Sequence, residues 1–187
     1  MPQSRSHPWR QPCELNDLFL YQLARLVRST GSMVVRLCEG GFGITRREWL
    51  MLALLADKGA MQPSQLADLA QLDRTRTSRT ISALRAKGLV QKQGIAGDRR
   101  QALLSLTAEG RALHAALFPQ IQRINQELLG DVSDAELELL SQLFARIRER
   151  GRAMQQQGDF PKAERRRGRM PLRDGRLKGM PHSEGGA

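Results

Sequence analysis

The chain has 187 residues and a formal net charge of +11, and hydrophobic residues make up 40% of it, which suits a folded domain and excludes a wholly disordered chain. Aromatic residues at 4% argue against a stacking platform for single-stranded nucleic acid, and two cysteines exclude a disulfide-rich scaffold. A polar start with no apolar h-region and no apolar run of about 18 residues leads us to expect neither a signal peptide nor a membrane span, and hence a cytoplasmic, helix-rich basic protein.

The charge is uneven. Residues 63–107 carry eight basic and three acidic side chains, residues 155–187 eight and four, while residues 108–154 carry six and seven. A basic middle beside a neutral neighbour suggests a nucleic-acid-binding module set on another scaffold.

Residues 1–13, with Pro2, Pro8 and Pro12, read as a loose arm. From Glu14 the apolar spacing of Leu15, Leu18, Leu23, Leu26, Val27, Val34 and Leu37 predicts a helix, weakened at Gly31 and stopped at Gly40, Gly41 and Gly43. Thr45 and Glu48 form a capping box, and the apolar run from Trp49 to Ala56 predicts a buried helix ended by Gly59. Pro63 opens a short helix through Ala70, and after a break at Leu72 the N-cap Asp73 opens a basic helix from Arg74 to Lys87, closed by Gly88.

The period then changes. Leu89 and Val90 lead into a turn at Gly94–Asp98, and Gln101 to Leu106 reads as a return strand, together a small hairpin. Thr107 caps a long helix striped with Leu113, Leu117, Ile121, Ile124 and Leu128, broken at Gly130. Ser133 and Glu136 form a second capping box before a helix with Leu137, Leu140, Phe144 and Ile147. From about Gln155 the pattern vanishes into an Arg-, Gly- and Pro-rich tail, expected to be disordered.

This order predicts a mainly α fold: a helix-turn-helix, a β-hairpin wing directly after it, and long flanking helices. The second helix of such a pair fits the major groove of duplex DNA, and a hairpin reaches the adjacent backbone or minor groove. In the basic helix, Thr77, Ile81 and Leu84 define the core face. At about 100° per residue, Thr75, Arg79, Ser82 and Ala86 then point away, with Arg76 and Ala83 on the flank. Arg74, Thr75, Arg76 and Arg79 are therefore the candidate DNA contacts, since Arg pairs with guanine or phosphate and Thr with a thymine methyl or phosphate. No acidic residue stands between Asp73 and Asp98, whereas a merely solvated helix face usually mixes signs.

Leu66-Ala67 through Leu84, Gly88-Leu89-Val90, Gly97-Asp98-Arg99-Arg100 and Leu106-Thr107-Ala108-Glu109-Gly110 together resemble the MarR family of winged-helix transcriptional regulators, over roughly residues 15–154. The family's wing pattern, Asp-x-Arg before a strand ending Leu-Thr-x-x-Gly, is met by Asp98, Arg100, Leu106, Thr107 and Gly110. The resemblance implies that Asp98 braces the wing, that Arg100 reaches the minor groove with Arg99 beside it, and that the chain is a homodimer on a near-palindromic operator. It divides the chain into an arm (1–13), a dimerisation helix (14–44), a winged helix-turn-helix (45–107), two further dimerisation helices (108–154) and the tail (155–187).

The family's usual behaviour implies a repressor released by a small, often aromatic or phenolic, effector. Tyr21, Arg25, Arg46, Trp49 and His114 are candidates for that site: an Arg for a carboxylate, Trp49 for an apolar wall. The commoner reading of Trp49 is a core residue. A thiol-sensing branch of the family carries Gln-Leu-Cys in its first helix; here the sequence is Gln22-Leu23-Ala24, so Cys13 and Cys38 read as incidental thiols, with redox sensing as the alternative. Three scattered histidines (His7, His114 and His182) and the lack of a Cys/His cluster or phosphate-binding glycine loop predict no enzyme, metal or cofactor. The rival class is a non-specific architectural or RNA-binding protein driven by the tail.

Overall fold

The structure is a computed structural model that describes residues 7–95 and 98–158, with only the backbone described for residues 95 and 98–101. It has six α-helices and one hairpin among these residues: α1 (Phe19–Arg36), α2 (Arg46–Lys58), α3 (Pro63–Ala70), α4 (Arg74–Ala86), β1 (Val90–Ile95), β2 (Asp98–Leu106), α5 (Ala108–Leu128) and α6 (Asp134–Gln157). They fall into two units, one through Val132 and one from Ser133. No helix among the described residues is long and apolar enough to cross a membrane.

Helix starts follow their caps. Thr45 Oγ1 accepts from Glu48 N–H at 3.2 Å and Glu48 Oε2 accepts from Thr45 N–H at 2.6 Å. Ser133 and Glu136 repeat the exchange, and Asp73 Oδ1 accepts from Arg76 N–H at 2.9 Å. Each satisfies backbone donors that have no partner inside the helix. The expected start at Glu14 is corrected. Asp17 accepts the N–H groups of Cys13 and Glu14 and holds Leu15–Asp17 as a separate 3₁₀ turn; extended Leu18 then delays α1 to Phe19. Upstream, Pro8–Arg10 forms another 3₁₀ turn, whose Trp9 ring packs edge-on against Phe19 at 5.3 Å, so this part of the expected loose arm is anchored.

Gly31 does not interrupt α1, which instead ends in a π-type turn, Leu37–Gly41. Within the first unit, one core cluster joins Cys38, Ile44, Trp49, Met51, Leu52 and Leu55 to Leu66, Ile81, Leu84, Leu104, Leu106 and Leu117. The expected all-round burial of α2 is partial: Leu50 is 40% exposed. The hairpin is longer than expected. Pairing runs from Val90 opposite Leu106 to Gly94 opposite Ala102, and an irregularity after Gly94 brings Ile95 opposite Asp98. Met61 adds a short third rung, exchanging backbone hydrogen bonds of 3.1 and 2.8 Å with Leu104. The wing is thereby tied to the loop before α3.

The Leu106–Gly110 motif is a backbone stitch. Thr107 Oγ1 accepts from Gly110 N–H at 3.0 Å and donates to Gly88 O at 2.6 Å, while Thr107 N–H donates to Leu89 O at 3.2 Å. A Cβ on Gly110 would stand 2.0 Å from Leu89 O, so only glycine lets α5 start this close to the turn after α4.

In the second unit, α6 carries Leu139, Leu140, Leu143, Phe144 and Ile147, each at least 37% exposed. It runs to Gln157 and closes at left-handed Gly158. Residues 155–157 of the expected tail are therefore helical, and the rest of it lies outside the described residues.

Candidate nucleic-acid interface

The candidate interface is built on α3 and α4. Ala67 O accepts from Leu72 N–H at 3.0 Å, and Gln71 takes a left-handed conformation (φ 53°), which gives the tight turn between the two helices. In α4, Thr77, Thr80, Ile81 and Leu84 are buried. Both threonine hydroxyls donate one turn back, to Asp73 O at 2.9 Å and Arg76 O at 2.8 Å, so they enter the core without an unsatisfied group. The opposite face is exposed and holds Arg74, Thr75, Arg76, Ser78, Arg79, Ser82 and Arg85. Arg76 Nε lies 3.4 Å from Asp73 Oδ2, an ion pair that leans this side chain toward the helix start. Arg74, Arg79 and Arg85 form no ion pair among the described residues.

Beside this face lies a cleft of about 350 Å³ between the start of α3, α4 and the wing base, its rim formed by Ser64, Arg74, Ser78, Ser82, Arg85 and Lys92. Three cations and three serine hydroxyls stand among its lining residues, over an apolar floor that includes Pro63, Ala67, Ile81 and Leu104. Ser64, Ser78, Arg85 and Lys92 were not among the sequence candidates. Helical phase singles out the side of α4 most directly away from the core; Ser78 and Arg85 stand to one side of that arc, and Ser64 and Lys92 come from other elements. Asp98, Arg99 and Arg100 open β2 on the wing; their side chains lie outside the described residues.

The five effector candidates fall into groups. Arg25 lies over the Tyr21 ring at 5.9 Å and donates to Asn16 Oδ1 at 3.2 Å. Trp49, 8% exposed, stacks on His114 at 5.3 Å, and His114 stacks in turn on Phe118 at 5.2 Å. Burial holds His114 below the ordinary imidazole pKa, favouring its neutral form. Arg46 reaches toward α1, its Nη1 3.0 Å from where a Cβ on Gly31 would be. Only His114 of the five lines the other cleft described, about 320 Å³ between α2, β2 and α5, with Leu55, Ser105, Leu106 and Arg111.

Of the two thiols, Cys13 is exposed and Cys38 fully buried. Burial pushes the Cys38 thiol pKa up, with Glu39 adding to the rise; the opposing cation is Arg46, not the neighbouring Arg36. A buried thiol with a raised pKa is a poor nucleophile, so Cys38 does not have the environment of a redox sensor.

A capped helix-turn-helix with a basic outer face, tied to a wing, sets the terms for comparison with known proteins. The profile of the MarR family matches residues 42–101. The transcriptional regulator HosA of Escherichia coli O127:H6 is 28% identical over 104 residues, 56% of this chain and 77% of HosA. A MarR family transcriptional regulator from Silicibacter pomeroyi superposes with a TM-score of 0.64 at 26% identity, over 77% of this chain and 96% of the other. The profile, HosA and the Silicibacter structure all support a MarR-family regulator. A further structural relative is Bordetella bronchiseptica BpsR, described with a mechanism for regulation of its DNA binding by 6-hydroxynicotinic acid. It gives a TM-score of 0.56 at 25% identity, over 67% of this chain and 98% of BpsR.

Proposed function

We propose that this chain is a sequence-specific repressor that binds a near-palindromic duplex operator as a homodimer and is released by a small aromatic acid. The observation that carries the reading is the outer face of α4: Arg74, Thr75, Arg76 and Arg79 stand exposed on a helix held to the core by Thr77, Ile81 and Leu84. This face enters the major groove, the cleft rimmed by Arg85 and Lys92 takes the backbone, and Arg99 and Arg100 of the wing reach the adjacent groove with Asp98 as their brace.

Support for the homodimer comes from the apolar residues left in solvent, Leu20, Leu26 and Val27 on α1 and Leu140, Phe144 and Ile147 on α6. The effector reading rests on the Trp49–His114–Phe118 stack and the adjoining cleft, where Arg111 supplies a cation for a carboxylate, together with the likeness to BpsR. Arg46 is a second cation near the same helices, and Tyr21 and Arg25 remain candidates at the start of α1.

The test is selection of duplexes from a random library by the full chain, followed by Arg79→Ala. Losing one bidentate base contact costs about 1–3 kcal/mol, so binding to the selected duplex falls roughly 5- to 150-fold, while the dimer seen by size-exclusion chromatography persists. An unchanged sequence preference would refute α4 as the reading helix. Equal affinity for all duplexes would favour the architectural alternative.

A further inference from the structure

Among the described residues, Glu48 is the only Asp, Glu, Lys or Arg that is buried, at 4% exposure. Its part in the α2 capping box does not account for this. The matching box at the start of α6 leaves Glu136 in solvent. The difference is Lys87. This residue caps the C-terminal end of α4, and its ammonium donates to Glu48 Oε2 at 2.9 Å and to Gly43 O at 2.8 Å. Gly43, in a left-handed conformation (φ 63°), closes the segment that follows α1. Burial alone would push the Glu48 carboxyl up, but the Thr45 N–H, the Lys87 hydrogen bond and the Lys87 charge outweigh it and hold the carboxyl below its usual value. One ammonium therefore ties together the end of α4, the start of α2 and the exit of α1, across 39 and 44 positions of sequence.

α4 does not need this tie to reach the core, because Ile81 and Leu84 already anchor it. What the tie adds is direction. Apolar contacts are non-directional, whereas the two hydrogen bonds from Lys87 Nζ add a directional restraint at the C-terminal end of α4. We propose that the junction of Lys87, Glu48 and Gly43 sets the tilt of α4 against the start of α2 and the exit of α1, and that Lys87 and Glu48 are positioning residues which determine DNA specificity without contacting a base. This rests on the reading of α4 as the DNA-reading helix.

The test uses the full chain, the duplex it enriches best from a random library, and a scrambled duplex of equal length. Affinities for both are measured at one salt concentration for wild type, E48Q, K87M, K87R and the double variant E48Q/K87M, each first confirmed as folded by circular dichroism. Loss of register on even one base pair lowers the ratio of specific to scrambled affinity about tenfold, and this is expected for E48Q, K87M and the double variant. E48Q is decisive, because it removes a negative charge and so cannot weaken phosphate attraction. The double variant leaves no buried charge without its partner, so the penalty of an unpaired ion does not enter its result. K87R, which keeps a donor at the same end, is expected to recover part of the ratio. A double variant that is folded and keeps the wild-type ratio overturns the proposal and leaves the pair a plain stabiliser. A K87M that weakens both duplexes equally, beside an unaffected E48Q, also overturns it and makes Lys87 a phosphate contact. A wild-type chain that enriches no sequence overturns the proposal together with the DNA-reading function beneath it.

Discussion

Gly110→Ala tests the stitch between the wing and α5. The added methyl would lie 2.0 Å from Leu89 O, 3.0 Å from Leu89 C and 3.4 Å from Leu106 Cδ2. The obstacle is backbone, and the same carbonyl already accepts the Thr107 N–H, so no side-chain rotation relieves it. The start of α5 must move away by about 1 Å, stretching the Thr107 bonds, and overpacking of this kind costs about 1–3 kcal/mol, here at the upper end. Alanine returns about 1 kcal/mol of helix propensity, because Gly110 lies inside the helix. The net loss is about 2 kcal/mol, which for a chain of this size lowers Tm by roughly 4–8 °C. Thermal unfolding followed by circular dichroism measures it. The control is Gly151→Ala in α6, where nothing lies within 4 Å of the added methyl and the same propensity gain stands alone. An unchanged or raised Tm for Gly110→Ala would show that the close approach does not constrain this fold.

Two further outcomes concern titratable groups. Thiol titration of the native chain should show one fast cysteine, absent in Cys13→Ser, with Cys38 reacting only in denaturant; two fast thiols would contradict the burial of Cys38. For His114 the folded pKa lies below the unfolded one, so the unfolded chain binds the extra proton first. Stability is full above the ordinary imidazole value, about 6.5, and falls as pH drops through it. The difference in Tm between pH 7.5 and 5.5 should therefore shrink in His114→Phe, and an undiminished difference would place the pH response elsewhere.

What the sequence made legible was local. The caps at Thr45, Asp73, Thr107 and Ser133 each span three residues, so both ends of the contact stand in one short stretch of sequence. The core face of α4 was equally readable, because Thr77, Ile81 and Leu84 follow the helical period. Distant contacts gave no such signal. Glu48 reads as a cap, and nothing near it in sequence announces Lys87. Thr80 reads as polar, yet it is buried because its hydroxyl bonds within the helix. Gly94 reads as the start of a turn, but pairing with the opposite strand carries the ladder through it. At the candidate site, the arginines of α4 were visible from charge and phase, whereas the cleft rim needed Ser64 and Lys92 to be brought in from α3 and β1.

The rung between Met61 and Leu104 has an evolutionary consequence. It fixes the hairpin by main-chain atoms at a point where Leu104 is fully buried, and beyond the Lys92–Leu104 pair no described side chain enters the core. Substitutions at the described position Gln93, one step beyond that pair, are therefore screened from the interior. A lineage can vary the hairpin there while the hydrophobic interior stays the same.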